Sequence, residues 1–216
     1  MRKIAFSALL LLALGLTAAV CSLKKGNLPV IRNGKLTTRD AAWQQQLIRR
    51  QKLKNKAIAL RDFAGANGMD TTVGFLIHMS IHSGSYRFFV YDLTSYTLLD
   101  SGLVTHGRCN ERFLSQKRYG NTVGCGCTSL GRYKIGAKYH GRFGLAYKLH
   151  GLDRSNSNAF KRFVVLHSHS CVPSSDVPYP ICQSDGCPTV SPGYLQRLSK
   201  MIDRTSQPIA LEIIDE

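Results

Sequence analysis

Between Thr38 and Gly68 the apolar residues Trp43, Leu47, Leu53, Ala57 and Leu60 recur at intervals of three, four or their sums, while Arg49, Arg50, Lys52, Lys54 and Lys56 fill much of the rest. That period describes one face of an amphipathic helix, closed by Gly65 and the Asn67-Gly68 pair. Docking the apolar face on the domain that follows is its expected use, and contact with a membrane surface is the alternative. Beyond Gly68 the period falls to two. Phe75, Ile77, Met79 and Ile81 share one parity, and Ser83-Gly84-Ser85 turns that strand into a second over 87–93, which predicts a hairpin. Further strands are expected over 98–107, 132–136, 163–167 and 208–214. Ser191-Pro192 opens a second helix that presents Tyr194, Leu195, Leu198 and Ile202 on one face. The pattern predicts a mainly β (α+β) chain with mostly antiparallel strands and a leading helix.

The N-terminus reads differently. Arg2 and Lys3 precede an uncharged apolar stretch from Ile4 to Val20, and Lys24 and Lys25 follow it. This is the pattern of a secretory leader, residues 1–21, with Thr17 and Ala19 at the small-residue positions of a cleavage site. Lipidation at Cys21, or retention as a short membrane anchor, are the other outcomes. All three export the remainder to the periplasm or cell envelope. Residues 22–70 then hold a linker and the basic helix, and residues 71–216 a single domain; no internal repeat interrupts the 216 residues. The formal charge of +16 falls only to about +14 without Arg2 and Lys3. The mature chain therefore seeks anionic neighbours. With no nucleic-acid motif present, anionic cell-wall polymer or a membrane surface, met through the basic N-terminal region, is the expected partner, and nucleic acid is not.

Export also changes how cysteines are read. Cys109, Cys125, Cys127, Cys171, Cys182 and Cys187 follow Cys21, and six cysteines in an oxidising compartment suggest disulfides. Cys187, in ICQSDGCPTVS, nevertheless has surroundings suited to a nucleophile, which needs a base, an orienting group for that base and oxyanion donors. Gly186 permits close backbone approach, and the amides of Gly186 and Cys187 could both face an oxyanion, whereas Pro188 has none to offer. His167 ends the apolar run FVVL twenty residues upstream, a rigid place for a base. His169, two residues on, lies in the polar loop and is the competitor. A zinc site from Cys125, Cys127, His167 and His169 is the metal alternative, although Cys-x-Cys is a less typical zinc spacing; no metal and no cofactor are expected. His106 and His150 end apolar runs and could line a cleft, while His78, His82 and His140 show no distinguishing spacing.

RFFVYDLTSYTLLDSGLVTHG, LGRYKIG, YHGRFGLAYKLHGLDRSNSNAFKRFVVLH and SDGCPTVS, in that order, resemble the murein L,D-transpeptidase catalytic domain family, in the branch where proline follows the cysteine. The resemblance covers roughly residues 73–214 and leaves the basic helix outside. It implies a β-sandwich or barrel-like catalytic domain with a helix after the catalytic cysteine, and no cofactor. It also implies a peptidoglycan stem peptide as substrate. Cys187 would be the nucleophile, His167 its base, and the Ser168 carbonyl the orienter of the imidazole. Ser184, Gly186 and Cys187 match the family signature, but Asp185 stands where the family keeps a histidine, and a carboxylate there would raise the thiol pKa unless it points away. Attack on the L-centre of the third stem residue would expel terminal D-alanine and leave a thioester. An amine acceptor then makes a 3→3 crosslink, and water makes an L,D-carboxypeptidase. A catalytically disabled wall-binding module of the same fold is the alternative.

With Cys187 assigned to chemistry, Cys171 and Cys182 lie together in the loop between base and nucleophile, and pairing them would staple it. Cys109 has Cys125 or Cys127 as partner, leaving one thiol over. A Cys182–Cys187 bridge would end the enzyme reading.

Overall fold

A computed structural model describes residues 38–216. The leader, the Cys21 alternatives and the linker over 22–37 lie outside the described residues. Gln45–Glu216 form one compact unit, and the described residues before Gln45 belong to a second. Among the described residues no helix is long and apolar enough to cross a membrane.

The leading helix α1 spans Thr38–Ala66. Its later turns bury Leu53, Ala57, Leu60 and Ala64 against Leu76, Phe89, Tyr91, Leu93 and Ala210, so the expected docking holds there. Earlier it does not, since Leu47 and Ile48 are exposed. The helix ends at Ala66, and Gly68, with a φ of +64°, lets the Met69 N–H reach back to the Ala64 carbonyl at 2.9 Å.

Eight strands follow: β1 (Val73–His78), β2 (Phe88–Asp92), β3 (Thr97–Gly102), β4 (Gly131–Gly141), β5 (Gly144–Gly151), β6 (Val165–Ser168), β7 (Thr189–Val190) and β8 (Ala210–Ile214). They form one sheet in the order β3-β2-β1-β8-β4-β5-β6-β7. The β1–β8 and β6–β7 pairs are parallel, and the other five pairs are antiparallel. The sheet closes on itself beyond its edge strands: Val104 bridges Val190, and the Thr105 N–H donates to the Thr189 carbonyl at 2.9 Å. That closure makes the mainly β domain barrel-like and sets the β3 edge beside the segment carrying Cys187.

The strands near α1 are buried on both faces. Phe75, Ile77, Phe88, Val90, Leu211 and Ile213 enter the inner core, while Leu76, Phe89, Tyr91 and Ala210 face α1. Two-sided burial explains why FLI and FFVY read as unbroken apolar runs. It also corrects the expected parity of Ile81. The strand stops at His78, the chain turns with the Ile81 N–H on the His78 carbonyl at 3.2 Å, and Ile81 joins the α1 side while Met79 stays inside. β1 and β2 do pair antiparallel, but residues 79–87 form a longer connection than a tight turn. Gly84 packs on the Val177 and Tyr179 carbonyls, where any Cβ would collide. The second helix, α2, spans Pro192–Ile202, and the Ser191 side chain accepts from the Tyr194 N–H, as its sequence predicts.

Arg87 is fully buried. Its guanidinium donates to the Val104 carbonyl at 2.9 and 2.7 Å and to that of Ile81 at 3.3 Å. Its Nη2 lies 3.1 Å from His106 Nδ1. Arginine only donates, so His106 Nδ1 accepts and the ring is neutral. Burial first, then the Arg87 and Lys117 charges, push the His106 pKa down to about 4 from 6.5. Between those values the unfolded chain binds a proton that the folded chain refuses, so stability falls as pH falls through that window. Lowering the pH from 7 to 4.5 is expected to lower the urea midpoint, with His106 alone contributing on the order of 2–3 kcal/mol. An unchanged midpoint would show that the ring accepts its proton without cost.

Candidate active site

Cys187 follows Gly186 on the segment that leads into β7. Gly186 adopts φ +108°, a region where a side chain is strained, and a Cβ there would stand 2.6 Å from the Cys127 carbonyl oxygen. Glycine is therefore required twice, by its conformation and by this close approach. The Cys187 carbonyl accepts from Ser184 Oγ at 2.6 Å and Thr105 Oγ1 at 3.2 Å. Two hydroxyls thus fix the peptide just beyond the thiol. Ser184 serves as a clamp in this structure, and its Oγ also accepts from the Gly186 N–H at 3.2 Å. Gly186 therefore lacks the free amide expected of an oxyanion donor. Among the described residues the Cys187 N–H makes no hydrogen bond.

Cys187 is a free thiol and is half-buried. Sγ accepts from the Val165 N–H at 3.5 Å and faces the Phe163 carbonyl at 3.7 Å. Burial raises its pKa above the ordinary 9.0; the Val165 N–H and the Arg162 guanidinium oppose the rise, and the Asp185 carboxylate adds to it as the smallest cause. Asp185 is turned outward, 70% exposed, with Oδ1 2.7 Å from Arg108 Nε. The carboxylate therefore points away from the thiol and is paired with Arg108.

His167, at the penultimate position of β6, is buried. Its Nδ1 lies 3.1 Å from the Ser168 carbonyl. A carbonyl only accepts, so Nδ1 carries the proton and Nε2 carries the lone pair. Nε2 lies 3.0 Å from Thr189 Oγ1, so the threonine hydroxyl donates to the base, and no His167 hydrogen bond to Sγ forms. Burial lowers the His167 pKa below 6.5, the Ser168 carbonyl raises it in part, and the His169 charge lowers it again. The ring is thus neutral near pH 7. Phe143, at the tip of the β4–β5 hairpin, stacks on the imidazole at 4.7 Å and 20°. His169 is exposed beyond the strand end, and its Nδ1 accepts from the Cys171 N–H at 3.1 Å.

One cavity of about 470 Å³ is lined by His167, Cys187 and Thr189 together with Phe143, Arg108 and Arg112. His169, Ser184 and Asp185 also reach its wall. Two disulfides frame it. Cys171–Cys182 staples the loop between His167 and Cys187, and Cys109 pairs with Cys127, leaving Cys125 as the remaining thiol. The zinc tetrad is not assembled as a ligand set: Cys127 is held in its disulfide, and both His167 nitrogens are engaged. His106 contacts Gln183, its Nε2 3.3 Å from the amide nitrogen, and Gln183 grips the Leu114 backbone through both its amide atoms at 2.8 Å. His150 instead stacks on Phe160.

Sequence reasoning missed Thr105, Thr189, Arg162 and Phe143. Thr189, two residues after the cysteine, and Arg162, five before His167, were visible as polar residues flanking the proposed pair. Arg162 donates to the Gly120 and Cys127 carbonyls and to Ser129 Oγ, so it braces the backbone against which Gly186 packs. Nothing local marks Phe143, whose role exists only because β4 and β5 extend into a hairpin.

No curated protein sequence matches the chain. Two solved structures of the helical cell shape determining protein Pgp2 from Campylobacter jejuni, one a point mutant, are similar in fold at 10% identity, with TM-scores of 0.46 and 0.43. They cover 67% of this chain, which spans about half of their length, 47% and 48%. The model of the L,D-transpeptidase catalytic domain matches residues 44–210 and takes in most of α1, which the resemblance of the strand segments left out. With most of its length matched, His167 and Cys187 included, the chain belongs to the L,D-transpeptidase catalytic domain family.

Proposed function

We propose that the protein is an exported cysteine acyltransferase of peptidoglycan stem peptides. The observation that carries the reading is the free Cys187 thiol on one cavity wall with a neutral, Nδ1-protonated His167. Sγ attacks the carbonyl of the L-centre in the third stem residue, and its proton passes to His167 Nε2. Because Thr189 Oγ1 occupies that lone pair at rest, the proton either travels through this hydroxyl or displaces it. The Cys187 N–H is the amide left to receive the oxyanion. The C–N bond to D-alanine breaks, the imidazolium returns the proton to the leaving amine, and a thioester remains. Resolution by an amine of a second stem gives a 3→3 crosslink; resolution by water gives a trimmed tripeptide. The elevated thiol pKa favours general-base attack over a resting thiolate–imidazolium pair.

A catalytically disabled wall-binding module is the second reading, favoured by the His167–Thr189 bond standing where a His167–Cys187 bond would be expected. Incubation with muropeptides followed by mass spectrometry separates the two. A 3→3 dimer or a trimmed tripeptide supports the enzyme, and unchanged muropeptides with no carbapenem adduct on Cys187 overturn it. The reading also requires residence in the cell envelope, so recovery in the cytoplasmic fraction counts against it.

A further inference from the structure

Beside the cavity shared by His167 and Cys187 stands another whose wall the thiol meets. A second cleft, of about 330 Å³, is lined by Tyr139, Lys148, Phe160, Phe163, Val164 and Val165. None of these lines the first cavity. Yet Cys187 Sγ meets this cleft's wall directly, through the Val165 N–H at 3.5 Å and the Phe163 carbonyl at 3.7 Å.

Strand register builds the cleft. Lys148 of β5 pairs with Val165 of β6, and the bulged β4 strand brings Tyr139 to the same region. The Lys148 ammonium lies 5.8 Å from the Tyr139 ring centroid and 5.5 Å from that of Phe160. The rings flank its charge without neutralising it, and Lys148 forms no ion pair among the described residues. His150, stacked on Phe160 at 5.0 Å, senses the same field: burial lowers its pKa, and Lys134 and Lys148 lower it further. Two features of this cleft do nothing for the core. Phe160 and Phe163 are 51% and 83% exposed, and Phe163 holds a φ of +56°, an uncommon conformation for a bulky residue. That backbone keeps the ring outside while its carbonyl points at the thiol.

We propose that this cleft holds a free carboxylate of the stem peptide, with Lys148 as the recognising cation and the aromatic rings packing the aliphatic chain that bears it. The inference rests on the acyltransferase reading and deepens it. An ammonium framed by rings but lacking an acid takes an anionic oxygen through charge-assisted hydrogen bonds. Its neighbours select for methylene-bearing acids over compact inorganic anions. The cleft also shares the thiol's own wall through Val165 and Phe163, which sets it beside the attacked centre. The α-carboxylate left free by a γ-linked D-glutamate, carried on two methylenes next to the attacked residue, is the group assigned to it.

The test uses full-length protein carrying Cys187→Ser, so that binding is read without turnover. Its probes are a stem tetrapeptide with the free α-carboxylate on D-glutamate and the same peptide as the α-amide. The carboxylate form is expected to bind about tenfold tighter by calorimetry. Adding Lys148→Gln should erase that preference, and Lys148→Arg should restore most of it. Equal affinity for both peptides in the parent, or a preference that survives Lys148→Gln, overturns the proposal. Failure of the broader reading looks different. Carboxylate-selective binding with no turnover by the unsubstituted enzyme sinks the transferase while keeping the cleft, and turnover with no carboxylate preference does the reverse.

Discussion

Cys187→Ser is expected to leave no acyl adduct and to bring stem-peptide conversion below detection, whereas His167→Ala keeps the thiol and loses about 10²–10⁴-fold in kcat/KM. The difference follows from the resting state. Burial holds Cys187 as a thiol, so without a base the reactive anion is scarce at neutral pH, though still present. The pH profile carries the signs of both groups. The competent form pairs a neutral imidazole with the thiol. As the His167 pKa lies below 6.5, the acid limb of kcat/KM should be centred below that value. With the thiol pKa above 9.0, the alkaline limb should be centred above it. Initial rates across this range check the assignment, and an acid limb centred above 6.5 would remove His167 as a buried neutral base. Alkylation of Cys187 by iodoacetamide should climb with pH through the alkaline range without His167, because it then reports the thiolate alone.

Gly186→Ala is the second large effect, and it acts without touching a reacting group. A Cβ at φ +108° stands 2.6 Å from the Cys127 oxygen and 3.1 Å from Arg162 Nη2. The arginine can shift, but the carbonyl is backbone, held in the Cys109–Cys127 loop and braced by Arg162. The strand end carrying Cys187 must move instead. The conformational strain alone costs about 1–2 kcal/mol, which a folded domain tolerates. A shift near 1 Å at the nucleophile is worth about a hundredfold in rate. The expected result is a protein with a modestly lower Tm and conversion about a hundredfold slower. Full activity would mean that the loop gives way and Gly186 is not a positional constraint.

Much of this site is legible along the chain because its parts are local. FVVLH ends a strand with its histidine, Ser-Pro opens a helix, and Gly186 precedes the cysteine at a position needing freedom. The orienting carbonyl at Ser168 is adjacent in sequence to the ring it holds, so its role follows from chain geometry. The Cys171–Cys182 bridge closes a loop of 11 residues, again a short-range matter. By contrast, choosing between Cys125 and Cys127 for Cys109 depends on how residues 108–127 fold across the site, which no local period encodes. β5 escaped notice because its lysine, histidine and flanking glycines break the apolar alternation, while its partners β4 and β6 satisfy its backbone.

Other features exist only in three dimensions. Phe143 reaches His167 because the β4–β5 hairpin overhangs the sheet, and Thr105 reaches the Cys187 carbonyl because the sheet closes from Val104 to Val190. Asp185 looked like an electrostatic fault until Arg108 drew it outward. By itself the sequence determined the candidate nucleophile and base and the strand and helix ends that hold them, since side-chain type and period-two or period-3.6 burial are properties of neighbouring residues. Only the tertiary structure decided what those groups face: which hydroxyl caps the base, which carbonyl confines the glycine, and which cleft adjoins the thiol. These contacts join residues twenty to more than eighty positions apart, and they follow from sheet register and closure, which the whole chain sets together.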